Sequence, residues 1–64
     1  MARSGPQISR LLTVAEVAGV MRVSRMTVYR LIRREQLTAI KVGRNYRVRE
    51  EDLAAYLDRA SVAE

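Results

Sequence analysis

Apolar and polar residues alternate at helical spacing in two neighbouring segments of the chain. The first segment reads VAEVAGVM and, with the turn after it, is apolar at Val17, Ala18, Met21 and Val23, at intervals of one, three and two. The second reads RMTVYRLIRR, where Val28, Leu31 and Ile32 follow at helical spacing. Ser24 lies just before the second segment, where a serine hydroxyl can accept a hydrogen bond from the free amides of a first helical turn. The pattern predicts a first helix from about Val14 to Met21, a tight turn, and a second helix from about Arg25 to Arg34.

The ends of the first helix also carry recognisable signals. Thr13 and Glu16 match a capping box, in which each side chain accepts a hydrogen bond from the other residue's backbone amide. Val23 follows the first helix and is expected to act as an apolar plug that pins the two helices together. These residues predict a defined helical start and a closed turn.

After the second helix the period of the pattern changes to two. Residues 38–42 and 46–49 alternate apolar with polar side chains, as strands do. Residues 43–45 between them include Gly43 and Asn45, both of which tolerate positive φ. We therefore predict a β-hairpin. Its expected orientation places Ile40, Val42, Tyr46 and Val48 toward the helices, Lys41, Arg47 and Arg49 outward, and Arg44 at the tip.

Three acidic residues, 50–52, then suit the positive end of a helix dipole and predict a last helix that frays near Ala60. Three consecutive carboxylates on one helix start point in different directions, so they do not predict a metal site or an acid–base pair. The predicted fold is mainly α with a small β-hairpin, a winged helix-turn-helix. Its expected parts are a flexible tail (residues 1–10), the domain (residues 11–60) and a frayed end (residues 61–64).

The second predicted helix has a strongly basic outer face. A helix that begins at Ser24 turns Val28 to one side and Arg30 and Arg33 to the other, at about 100° per residue. Arginine suits both phosphate and guanine, because its planar group donates two parallel hydrogen bonds. The alternative is an ordinary amphipathic helix with a solvated basic face. The preceding turn and cap favour a helix that reads DNA.

Composition limits the functional classes to which this protein could belong. The chain has 64 residues, a formal net charge of +5 and a pI near 10.8, which indicates one small domain with an anionic partner. Of its 12 basic residues only Lys41 is not arginine, a bias that a GC-rich genome would also produce. The chain has no cysteine and no histidine, which excludes disulfides, zinc fingers, thiol nucleophiles and imidazole bases. We expect neither an enzyme nor a cofactor.

The sequence shows no apolar stretch that could span a membrane, and its N-terminus lacks the apolar region of a signal peptide. These features predict a cytoplasmic protein without a membrane partner. A DNA-binding role would associate it with the nucleoid of a bacterial or phage-infected cell.

The segments LTVAEVA, VSRMTVYRLI, IKVGR and YRV, together with a last helix that contains DLAAYL, resemble the excisionase-type, MerR-like winged helix-turn-helix family. The resemblance covers roughly residues 11–57. It implies binding to double-stranded DNA, with the second helix in the major groove and the wing along the adjacent minor groove or backbone. The implied helix contacts are Ser24, Arg25, Thr27, Tyr29, Arg30 and Arg33. The implied wing contacts are Arg44, Asn45 and Arg47, to which charge on the predicted outer face adds Lys41.

Two residues depart from the family pattern. Arg22 and Glu35 stand where many members have glycine, in the turn between the helices and just after the second helix. Glycine at such places supplies the left-handed conformation that ends many helices. We therefore expect each residue either to adopt that conformation or to alter its turn.

The resemblance leaves two DNA-binding roles open. Excisionases bind cooperatively, bend attachment-site DNA and direct a phage-type integrase toward excision, whereas similar small proteins regulate transcription at promoters. Full MerR regulators add an effector domain and a long dimerisation helix, and no small-molecule effector is expected here. A third hypothesis is a protein-interaction module whose basic face binds an acidic partner.

Overall fold

The structure is a computed structural model that describes residues 10–61. Within these residues the structure has three helices and three short strands, which confirms the predicted mainly α, winged helix-turn-helix fold. The predicted tail lies outside the described residues except for Arg10, and so does the predicted frayed end except for Ser61. The elements are β1 (Leu11–Thr13), α1 (Val14–Met21), α2 (Arg25–Arg33), β2 (Ile40–Val42), β3 (Asn45–Arg49) and α3 (Glu50–Ala60).

The strands form one antiparallel sheet in the order β1-β3-β2. The hairpin of β2 and β3 was predicted, but β1 was not. It pairs Leu12 with Val48 at its centre, and the Arg10 carbonyl extends the pairing by accepting a hydrogen bond from the Glu50 amide at 2.9 Å. This third strand attaches the start of the domain to the base of the hairpin.

The hairpin loop contains two residues rather than the three that were predicted. Val42 pairs directly with Asn45, which leaves only Gly43 and Arg44 between the strands. Gly43 has a φ of 63°, the positive value that two-residue hairpin loops need at their first position. The pairing register is therefore displaced by one residue from the predicted one.

This displacement moves two apolar residues to the other face of the sheet. Lys41 pairs with Tyr46, and paired side chains share a face while successive ones alternate. Ile40 and Val42 consequently lie on the face opposite Tyr46 and Val48, and Val42 is 47% exposed. The prediction that all four apolar residues face the helices was wrong, and Lys41 shares the face of Tyr46.

The core joins every layer of the fold. Val17 of α1, Val28 of α2, Val48 of β3 and Leu37 are almost completely buried. Leu37 belongs to the segment between α2 and β2, and the strand and helix patterns had not assigned it to the core. The remaining core residues are Leu12, Val14, Ala18 and Leu53.

Both predicted helix starts are confirmed, but the turn between the helices closes differently. In the capping box of α1 the Thr13 amide donates to Glu16 Oε1 at 2.9 Å, and the Glu16 amide donates to Thr13 Oγ1 at 3.0 Å. Val23 is 36% exposed, so the prediction of a buried plug was wrong. Its backbone closes the turn instead, because the Val23 amide donates to the Ala18 carbonyl at 3.0 Å.

Arg22 and Glu35 both adopt the left-handed conformation, with φ of 61° and 60°. Arg22 ends α1, and its amide donates to the Ala18 carbonyl. After α2, the Glu35 amide donates to the Ile32 carbonyl at 3.0 Å and the Gln36 amide donates to the Leu31 carbonyl at 2.9 Å. These two bonds form a Schellman motif, in which glycine usually occupies the place of Glu35.

Replacing either left-handed residue by glycine should stabilise the domain. A side chain in this conformation costs on the order of 1–3 kcal/mol, and the greater freedom of glycine in the unfolded chain offsets part of the relief. We expect Arg22→Gly and Glu35→Gly each to raise the free energy of unfolding by about 1 kcal/mol, measured by urea denaturation. The matched variants Arg22→Ala and Glu35→Ala keep the Cβ atom and should bring no such gain. If the alanine variants gained as much stability as the glycine variants, the effect would come from removing the charged side chain and not from relief of the backbone conformation.

Truncating Leu37 should destabilise the domain strongly. A buried leucine cut to alanine loses roughly 2–5 kcal/mol, a large part of the margin of a small domain. Leu57→Ala is the control, since Leu57 is 39% exposed and should cost much less. Thermal unfolding followed by circular dichroism compares the two. A similar loss in both variants would contradict the assignment of Leu37 to the core.

Candidate nucleic-acid interface

The turn and its cap fix the start of α2. The Ser24 hydroxyl accepts a hydrogen bond from the Thr27 amide at 3.1 Å, as the sequence predicted. The Ser24 and Thr27 hydroxyls also lie 3.1 Å apart. Both residues are predicted DNA contacts, and both hydroxyls already take part in this cap. Their first role is therefore to hold the beginning of the helix in shape.

One side of α2 packs inward and the other is free. Val28 is buried and Leu31 and Ile32 are half-buried against the core. The opposite side is exposed and basic. Within residues 10–61, the exposed guanidinium groups of α2 form no ion pair or hydrogen bond; they belong to Arg25, Arg30 and Arg33.

The β2–β3 hairpin, here called the wing, presents its polar residues in three directions. Arg44 is exposed in the loop and makes no ion pair with any other described residue. Lys41 lies on the same face as Tyr46, with its Nζ atom 5.7 Å from the centre of that ring. Asn45 and Arg47 lie on the opposite face, and Arg47 Nη1 donates to the Tyr46 carbonyl at 3.1 Å. The predicted wing contacts therefore do not share one surface.

An aromatic contact joins α2 to the wing. The rings of Tyr29 and Tyr46 have centres 6.2 Å apart and planes inclined at 63°, an edge-to-face arrangement. Both side chains are half-buried and pack against the core. Tyr29 is one of the helix contacts that the family resemblance implies. The structure places its ring against Tyr46 of the wing.

Two exposed arginines that were not among the predicted contacts flank α2. Arg22 lies in the turn before the helix and Arg34 follows its last residue. Neither guanidinium group has a partner among the described residues. Their charge and their nearness to the cap and the helix end were visible in the sequence. They add exposed positive charge at both ends of α2.

The described residues outside α2 and the wing form a cleft, but they meet the requirements of neither a metal site nor a membrane-spanning helix. A shallow cleft of about 610 Å³ between α1, β1 and α3 has mainly aliphatic walls, including Val20, Leu53 and Leu57, with Glu16 and Glu50 as its carboxylates. Residues 10–61 contain no cluster of His, Cys, Asp and Glu side chains placed to hold a metal ion. Among the helices of this described part, none is long and apolar enough to cross a membrane.

The sequence pattern of the family described as a helix-turn-helix domain matches residues 11–61. The chain belongs to this helix-turn-helix family. The matched region spans every element from β1 to α3, including the wing. The family assignment therefore rests on the whole described fold and not on the two central helices alone.

Two relatives from Mycobacterium tuberculosis are provisionally named as the DNA-binding proteins MT0521 (strain CDC 1551 / Oshkosh) and Rv0500A (strain ATCC 25618 / H37Rv). Each is 62% identical over 40 residues, which cover 62% of this chain and 51% of the relative. The uncharacterized protein YvgK of Bacillus subtilis (strain 168) is 54% identical over 44 residues, 69% of this chain but only 14% of that protein. The aligned part thus spans about half of each mycobacterial relative and a small part of YvgK.

Proposed function

We propose that this protein binds double-stranded DNA in a sequence-specific way through α2 and the wing. The observation that carries the proposal is the capped helix with three exposed, unpaired arginines beside a wing with Arg44 at its tip. The family assignment and the names of the mycobacterial relatives support it. A helix of this kind fits the major groove of B-DNA, which is about 12 Å wide.

Each part of the surface has a distinct proposed role. Arg30 and Arg33 read base edges, with guanine as the preferred partner of a bidentate guanidinium. Arg25, at the start of α2, and the Ser24 and Thr27 hydroxyls bind nearby phosphates, and Arg44, Asn45, Arg47 and Lys41 bind the backbone or minor groove at the wing. Met26 is 56% exposed and can contact a thymine methyl group from the same helix.

The proposed cellular role is that of an excisionase-type architectural protein. It would bind cooperatively, bend attachment-site DNA and direct a phage-type integrase toward excision. A single small module buries only about 600–1,000 Å² on DNA, so tandem copies or a partner would supply the remaining affinity. The sequence resemblance supports this role, and regulation of transcription at promoters is the alternative.

Arg30→Ala and Arg44→Ala should have different effects on binding. We expect Arg30→Ala to lose about 1–3 kcal/mol at particular base pairs, because it removes a base contact. Arg44→Ala should weaken binding to all sequences alike and reduce the salt slope by about 1. Fluorescence anisotropy with a specific duplex and a random duplex measures both. Equal, sequence-independent losses in the two variants would remove α2 from its role as the reader.

The salt dependence of binding to a random duplex separates DNA binding from recognition of an acidic protein. If about five phosphates are neutralised, log K should fall with log salt at a slope of about −4 to −5. A protein-interaction module would show no measurable affinity for the duplex even at low salt. That outcome would defeat both DNA-binding roles.

A genome-wide footprint on the DNA of the source organism distinguishes the two cellular roles. For an excisionase we expect one cluster of tandem sites in the same orientation beside an integrase attachment site. Sites scattered over many promoters would replace the recombination role with transcription regulation. The absence of any protected site would contradict sequence-specific binding itself.

A further inference from the structure

The separation between α2 and the wing is set by packing. Within residues 10–61, no hydrogen bond or ion pair joins α2 to the β2–β3 hairpin. The two elements share the core, to which α2 contributes Val28 and β3 contributes Val48, and they meet again at the Tyr29–Tyr46 ring contact at its outer edge. The position of the wing relative to α2 therefore depends on side-chain packing in the core and on side-chain shape at this contact.

The two rings are themselves held in place. Tyr29 lies one residue after the fully buried Val28, and Tyr46 lies two residues before the fully buried Val48 on the same strand face. Lys41, paired with Tyr46 across the strands, places its ammonium group 5.7 Å from the Tyr46 ring centre, which is within the range of cation–π attraction. Tyr46 thus has a neighbour on the helix and another on the adjacent strand.

We propose that the Tyr29–Tyr46 ring pair is a positioning element that sets the distance between α2 and the wing, so that both engage the same DNA duplex. This inference rests on the proposed DNA binding and assigns a role that the sequence did not indicate for either ring. Edge-to-face rings favour a limited range of centre separations, about 4.5–7 Å, so the pair holds the two elements at a defined spacing. Tyr29 acts through the wing, and its hydroxyl is not needed for DNA contact.

The test uses the loss of DNA affinity caused by Arg44→Ala as a measure of the contact between the wing and DNA. Arg44 and Tyr29 share no described contact, so their effects on binding should add if the wing stays in place. If the ring pair holds the wing, Tyr29→Leu weakens binding by up to about tenfold. In that background the further loss from Arg44→Ala becomes much smaller than in the unmodified protein. Tyr46→Leu should act in the same way.

Conservative and matched variants separate positioning from other effects. Tyr29→Phe and Tyr46→Phe keep the rings and should restore the binding lost in the leucine variants. Tyr56→Leu is the matched control, because Tyr56 is also half-buried against the core but lies on α3. In the Tyr56→Leu protein, Arg44→Ala should cause the same loss of DNA affinity as in the unmodified protein. Circular dichroism at the binding temperature establishes that each variant is folded, and Tyr29→Met, of similar bulk to leucine, replaces Tyr29→Leu if that variant unfolds.

Each outcome decides the role of the rings. A full loss from Arg44→Ala in the Tyr29→Leu protein would overturn the positioning role and leave the proposed function standing. A loss in Tyr29→Phe as large as in Tyr29→Leu would also overturn it, because the hydroxyl would then contact DNA directly. Failure of the unmodified protein to bind a random duplex at low salt would instead refute the proposed function.

Discussion

The packing of four side chains holds this domain together. Val17, Val28, Leu37 and Val48 are almost completely buried, and they come from α1, α2, the segment after α2, and β3. The chain has no disulfide and its described part has no metal-binding cluster, so this small core supplies most of the stability. Since α1, α2 and β3 each contribute one of these residues, we expect these elements to fold cooperatively, as small single domains usually do.

Because the core supplies most of the stability, the charged residues of the surface are not needed to hold the fold. No polar or charged residue is buried in the described part, and the described ion pairs, Arg10–Glu50 and Arg49–Asp52, are exposed or partly exposed at the base of the wing and the start of α3. Such surface pairs contribute little to stability. The arginines of α2 and the wing loop are thus not needed to hold the fold. Arg22 and Glu35 even oppose it slightly, because their left-handed backbone would suit glycine better.

Local patterns predicted the parts of the fold that depend on neighbouring residues. The capping box at Thr13, the cap at Ser24 and the left-handed option at Arg22 and Glu35 each involve residues a few positions apart, and the structure has all of them. The failures at β1 and Leu37 involve distant partners. Strand β1 forms by pairing with β3, where Leu12 lies opposite Val48, and Leu37 is buried in a core built from residues far apart in the chain. The basic face of α2 followed from helical periodicity, whereas the inward place of Tyr29 required knowledge of the wing.

The hairpin register shows how a local detail decides the layout of a functional surface. With the predicted three-residue loop, Val42 would share a face with Tyr46 and Lys41 would point away from the helices. The two-residue loop places Lys41 beside Tyr46 and turns Asn45 to the other face. In the proposed complex, Lys41 therefore lies on the face of the wing that meets α2, and Asn45 approaches the DNA from the opposite face. Among the proposed wing contacts only Arg44, in the loop, belongs to neither face, so it is the wing residue best placed to reach the DNA backbone in any orientation of the wing.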